Sequence, residues 1–224
     1  MGLFARIAGI AAATTATPAL AWAAYTSSTI FVPFGTSSPD YTSSISKKIN
    51  PASNPPVCID HAIRTIPLSK LKTTDQEELT RSFCQGVWSG AGFEIQRRYL
   101  ARKYRALNER DDHLWDKIEL KMSNYEVGTK IADHFEVVER NADKVTVRCG
   151  DSPLKQKPRP SDGLFSMEVT KDEKNATFHL KSMLFNSTPD GAGASPDMLP
   201  FWFDFLHKQY VKLWMETSVR RLLK

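Results

Sequence analysis

The stretch from Pro200 to Lys224, PFWFDFLHKQYVKLWMETSVRRLLK, limits what the chain can fold into more than any other. No Gly or Pro follows Pro200, and the stretch is long enough for about six helical turns. Phe203, Leu206, Tyr210, Leu213 and Thr217 recur at three- and four-residue steps and define one helical face, with Trp214 beside it. Lys208, Lys212, Arg220 and Arg221 fall away from that stripe, the last two suiting a helix C-terminus. Each buried side chain of this size contributes roughly 1.5–3 kcal/mol, so the face predicts a surface that wraps it.

The preceding chain supplies such a surface. Phe135 and Val137, then Val145, Val147 and Cys149, then Phe165, Met167 and Val169, then Phe178, Leu180 and Leu184 alternate with period two. Turn-forming residues separate them at Asn141 to Asp143, Gly150 to Pro153 and Lys171 to Asn175, which predicts an antiparallel meander. Upstream, Val57, Ile59 and Ile63 alternate against Cys58, Asp60 and Arg64, a first strand ended by Pro67. Thr74-x-x-Glu77 forms a capping box for a helix with Leu79, Phe83 and Val87 inward, which Gly86, Gly90 and Gly92 break. A second helix is predicted from Phe93 to Leu107. The segment QKPRPSDG before the third meander strand is expected to be a mobile loop at a cavity mouth.

The N-terminal quarter is different. From Ile7 to Pro39 there is no charged residue, and Trp22, Tyr25, Phe31 and Phe34 lie toward the end of the run. Residues 1–35 therefore fit an uncleaved membrane anchor, a signal peptide with a small-x-small site around Ala19 to Ala23, or a mitochondrial presequence. In each case the run is expected to stand outside the fold. A single-pass anchor in the endoplasmic reticulum is the preferred reading, with a secreted or mitochondrial protein as the alternatives. Residues 36–56, rich in Ser, Pro and Asn, are expected to be a linker to one domain over 57–224. Asn175 and Asn186 open two glycosylation sequons, which bear glycans only on the lumenal side.

Charge and composition exclude several functions. The net charge of +5 is not gathered into a long basic tract. Its densest cluster, Arg97, Arg98, Arg102, Lys103 and Arg105, is either a nucleic-acid or anionic-lipid patch or a solvated helix face; the solvated face is the preferred reading, so no nucleic-acid partner is expected. Cys58, Cys84 and Cys149 permit at most one disulfide and form no CxxC pair. The five histidines, at 61, 113, 134, 179 and 207, show no ligand spacing, so neither a metal nor another cofactor is expected. Val87 to Ala91 lacks the first glycine of a GxSxG elbow, and phosphate loops, HExxH and dinucleotide fingerprints are absent.

Several side chains are candidates for chemistry, each with a bland alternative. His134 follows Asp133 at the head of a strand and is either a general base or a structural His; adjacent strand residues point apart, so Asp133 is poorly placed to orient it. Asp151, beside Ser152, is either a catalytic acid or a turn residue bonding its own backbone. Cys149 is a small core residue on the Val145/Val147 face. Arg148 and Lys181 point opposite to Val147 and Leu180. Each is either an outer-face charge or, if turned inward, a partner for a carboxylate such as Glu168 or for an acidic ligand. Arg148 reaches a cavity only if a bulge near Gly150 turns it in; otherwise its loss is expected to shift stability by under about 0.5 kcal/mol. Trp88, Tyr99, Phe205 and Tyr210 are candidate cavity walls or plain core aromatics.

This order of elements, strand, helices, meander and long C-terminal helix, resembles the helix-grip fold of the START-like superfamily over residues 57–224. There a curved antiparallel sheet wraps the last helix and leaves a cavity. The strings FCQGVWSGAGFEIQRRYLARKYR, SNYEVGTKIADHFEVVER, VTVRCGDSP, RPSDGLFSMEV and HKQYVKLWMET are similar to an uncharacterised fungal family with an N-terminal apolar segment, often encoded beside secondary-metabolite enzymes. The expected class is α+β. The resemblance carries no catalytic motif, but an apolar cavity with one or two polar groups suits a membrane-associated, cofactor-independent cyclase or isomerase acting on a hydrophobic biosynthetic intermediate, or a non-catalytic carrier for such a molecule. A scaffold that tethers other biosynthetic enzymes to a membrane is the third reading; it predicts a filled core and a large exposed apolar patch.

Overall fold

The computed structural model describes residues 18–193 and 200–224. Eight strands form one sheet: β1 (Ile30–Phe31), β2 (Cys58–Pro67), β3 (His113–Leu114), β4 (Lys130–Ile131), β5 (Phe135–Arg140), β6 (Lys144–Gly150), β7 (Asp162–Lys171) and β8 (Asn175–Phe185). Their spatial order is β1-β2-β8-β7-β6-β5-β4-β3, antiparallel throughout except for the short β3–β4 pair. The first long strand, β2, pairs with the last, β8, from Cys58 opposite Leu184 to Pro67 opposite Asn175. The predicted α+β class, antiparallel meander and C-terminal helix are all present.

Helices cover both faces. Residues 18–26 are helical (α1), followed by α2 (Pro39–Thr42), α3 (Ser44–Ile49), α4 (Gln76–Ser89), α5 (Ala91–Tyr104), α6 (Lys117–Met122) and α7 (Phe201–Val219). The α4 cap lies one residue later than the capping box predicts: Glu78 N donates to Asp75 Oδ1 at 2.9 Å. Gly86 does not break α4. It lets α4 approach α7 so closely that a Cβ there would lie 2.9 Å from Ser218 Cα, and the helix ends instead at Gly90. On this inner face Leu79, Phe83, Trp88, Phe93, Trp214 and Met215 pack on Ala62, Val147, Phe165, Met167, Phe178 and Leu180.

Two expectations about the N-terminal quarter are corrected. The expected linker is folded: α2 and α3 lie on the outer face of the sheet, where Ile45 and Ile49 pack against Leu164, Met183 and Phe185. The end of the apolar run also belongs to the fold. Trp22 Nε1 donates to Gln209 Oε1 at 2.7 Å, Arg220 sits 4.4 Å over the Tyr25 ring, and Ile30 and Phe31 pair with β2. The earlier part of the run, residues 1–17, lies outside the described residues. Among the described residues no helix is long and apolar enough to cross a membrane.

The buried side of α7 differs from the predicted stripe. Val211, Trp214, Met215, Glu216, Ser218 and Val219 face inward, whereas Phe205 and Leu206 are 51% and 55% exposed. Helical spacing of apolar residues located the wrong face because the true one carries a carboxylate and a serine.

On the outer face His61 and His179 share a 2.9 Å hydrogen bond, with Phe34 edge-on to His61. Burial, then the neighbouring His179 and Lys181, push the His61 pKa down from 6.5 to about 4. Between pH 6.5 and 4 the unfolded chain takes up a proton that folded His61 refuses, so stability is present above that window and lost as pH falls through it. Allowing for screening of this half-exposed pair, wild type should lose about 1 kcal/mol more than His61→Gln between pH 7 and 5. Chemical denaturation at both pH values checks this; equal losses would contradict it.

Candidate functional site

Between the sheet and α7 lies a cavity of about 340 Å³. Strand parity builds its floor, because Phe135, Cys149, Phe165, Ser182 and Leu184 all stand on the inner face of β5 to β8. His207, Tyr210, Val211 and Trp214, at three- and four-residue steps on α7, build its roof. Gln96 closes one side and accepts a 2.8 Å hydrogen bond from the Tyr210 hydroxyl. Behind the wall Trp88 packs against Phe135, Phe165 and Trp214, with its ring 4.7 Å from that of Phe135. The volume is at the lower end of the roughly 300–1,000 Å³ usual for small-molecule sites.

Polar groups interrupt this apolar wall at two places. At one, His134 and Asp151 line the cavity. Ala132 and Asp133, at φ 49° and 58°, turn the chain through the left-handed region just before His134, a conformation costing about 1–3 kcal/mol per residue. Asp133 is held away from His134: Ser152 Oγ donates to its Oδ1 at 2.6 Å, and Arg110 pairs with it at 3.0 Å. Burial lowers the His134 pKa, opposed by the Asp133 and Asp151 carboxylates. His134 Nδ1 and Trp214 Nε1, both buried, have no partner among the described residues.

At the other place β2 presents Cys58, Asp60 and Arg64 to α7, the alternation that the sequence predicts. His207 Nε2 lies 2.6 Å from Asp60 Oδ2, and the Cys58 thiol donates to the same oxygen at 3.8 Å. Burial works to lower the His207 pKa, but the hydrogen bonds and charges of Asp60 and Cys58 outweigh it and raise it to about 10. Thiol and imidazole converge on one carboxylate oxygen. That arrangement is not a relay running through the ring from nucleophile to carboxylate. Further along, Arg64 pairs with Glu216, which also accepts from Thr29 Oγ1 at 2.7 Å and Arg220 Nε at 3.2 Å.

Of the residues singled out in the sequence, the structure brings His134, Asp151 and Tyr210 together on the cavity. Trp88 is core behind it, Phe205 is exposed, and Tyr99 lies on an outer groove with Ile95 and Leu213, across Tyr210 from the cavity. Arg148 and Lys181 point to the opposite face of the sheet. Lys181 is held by Glu168 at 2.6 Å and Asp40 at 2.9 Å. Arg148 makes a two-point ion pair with Asp162, at 2.8 and 2.6 Å, and donates to the carbonyls of Gln156 and Lys157. The loop after β6 is pinned by Arg159, 1% exposed, which donates to the carbonyls of Lys155 and Asp151. Asn175 sits at the β7–β8 turn, and Asn186 follows β8 with its side chain accepting from Thr188. His207, Asp60, Gln96 and Ser182 are cavity-region residues that the sequence reading did not single out as a site; the polar face of β2 was the visible signal for Asp60 alone.

Comparison with protein-family models, with curated proteins and with solved structures finds nothing that matches the chain.

The pairing of β6 with β7 is regular past Arg148, so no bulge turns that side chain inward. The expectation that its loss then costs little is nevertheless corrected, because α2, α3 and the 151–161 loop bury a face expected to be wet. Arg148→Ala strands the Asp162 carboxylate, whose side chain is 0% exposed, and should cost about 3–5 kcal/mol while leaving ligand affinity of the cavity unchanged. Urea denaturation checks the first part; a change below about 1 kcal/mol would contradict it.

Proposed function

We propose that the chain takes a small, mostly apolar organic molecule into the cavity under α7 and acts on it as a cyclase or isomerase. In this reading its architecture is of the helix-grip, START-like class. The wrapping of α7 by an antiparallel sheet whose first long strand pairs with its last supports that assignment. The observation that carries the function is a cavity with aromatic walls, lined by His134 and Trp214, whose Nδ1 and Nε1 atoms are buried beside it without a partner among the described residues. Apolar walls hold a flexible substrate in a reactive fold, and such positioning supplies much of a unimolecular rate. His134, kept neutral by burial, is the proton acceptor, and the Trp214 N–H is a donor for developing negative charge. The setting remains secondary-metabolite biosynthesis. A bilayer-spanning role for the N-terminal run would compete with the contacts of residues 18–26. Membrane or enzyme partners are therefore better met by the exposed Phe201, Trp202, Phe205 and Leu206.

Val211→Phe fills the cavity from its roof. Titration with an anilinonaphthalene sulfonate dye should show saturable binding to the full chain, weakened at least tenfold in the folded Val211→Phe variant. Equal binding would place the dye elsewhere and overturn the reading. In a host lacking the gene, an intermediate should accumulate that wild type consumes and His134→Asn does not. Rescue by His134→Asn would make the protein a carrier.

A further inference from the structure

We infer that Cys58, Asp60 and His207 form a binding site for a single zinc-class divalent ion, with a fourth coordination position open to the cavity. The three side chains are a thiol, a carboxylate and an imidazole, with one ligand atom from each lying within 4.8 Å of the other two. They come from two rigid elements. Cys58 and Asp60 are two residues apart on β2, hence on the same face, and His207 descends from α7. Their strand partners, Leu184 and Ser182, line the cavity, and so does His207 itself.

One distance is near that of a tetrahedral ion, and the other is shorter and must widen. Zinc sits about 2.3 Å from sulfur and about 2.0–2.2 Å from nitrogen and oxygen, which separates donor atoms by roughly 3.4–3.6 Å. The Cys58 Sγ to Asp60 Oδ2 distance is 3.8 Å. The His207 Nε2 to Asp60 Oδ2 distance is 2.6 Å, a hydrogen bond whose proton the ion would replace while the pair widens.

A second observation points to a ligand. Asp60, with a side chain 4% exposed, has its other oxygen, Oδ1, buried without a partner among the described residues. An unpaired buried carboxylate oxygen is costly, and a metal neutralises the group. Three protein ligands with an open fourth position define a catalytic rather than a structural zinc site. Such an ion would act on the cavity's occupant as a Lewis acid toward a carbonyl or hydroxyl oxygen. The inference rests on the cavity reading for that fourth position only, and it replaces the expectation of a metal-free protein.

Metal-stripped full chain is titrated with Co2+ and Zn2+. One equivalent should bind. Co2+ should give a thiolate-to-metal charge-transfer band that Cys58→Ser abolishes, while Asp60→Asn and His207→Gln weaken affinity at least tenfold. His61→Gln, which alters the separate His61–His179 pair, should change nothing. A band that survives Cys58→Ser, or no stoichiometric binding, overturns the site. Should the variants not fold, X-ray absorption of zinc-loaded wild type decides: one sulfur at about 2.3 Å supports it, and a shell without sulfur overturns it. Dye binding by the metal-stripped chain is read separately, so loss of the metal site and loss of the cavity reading are distinguishable.

Discussion

Glu216 is fully buried, and a carboxylate in that position persists only where cations and donors surround it. Arg64 from β2, Thr29 ahead of β1, and Arg220 one turn on meet this demand together. The cluster ties three distant parts of the chain to one atom group. It fixes the rotation of α7 about its own axis, because turning the helix would part Glu216 from Arg64 and Thr29 and leave Arg64 buried without its carboxylate. Once that rotation is set, His207, Tyr210, Val211 and Trp214 necessarily face the sheet and roof the cavity.

The same constraint accounts for the polar side of β2. A strand that faces a helix would ordinarily present its apolar residues, yet β2 turns Cys58, Asp60 and Arg64 inward and leaves Ile59 and Ile63 on the outer face. The reward is a line of charge along an otherwise aromatic interface. Arg64–Glu216 lies at one end, and Asp60–His207 borders the cavity at the other. The cavity is thus bounded by groups that can hold a proton or an ion, against mostly apolar walls. Buried polar groups of this kind cost stability and are retained where they serve a function or define a unique packing.

Much of the framework was legible in the sequence because it rests on local period. The strands at Phe135, Val145, Phe165 and Phe178, and the outward parity of Arg148 and Lys181, follow from alternation alone. What escaped depends on contacts far apart in sequence. The stripe through Leu206 and Leu213 was the face of α7 that regular helical spacing picked out. The buried face is decided instead by Arg64 and Glu216, 152 residues apart. The short helices α2 and α3 were hidden in a Ser-rich stretch because their stability comes from serine caps at Ser38 and Ser43 and from packing on β7 and β8. His134, Asp151 and Tyr210 were visible as candidates, whereas Cys58, Asp60 and His207 converge only once β2 and α7 are in place.

The dependence of α7 on its buried carboxylate can be read directly by native-state hydrogen exchange of wild type and Glu216→Gln. Removing the charge leaves Arg64 buried with a weakened partner. The opening free energy of α7 should fall by about 3 kcal/mol, roughly a hundredfold loss of amide protection from His207 to Val219, with β6 to β8 still protected. Unchanged protection of α7 in Glu216→Gln would contradict the account and place the anchor of the helix elsewhere.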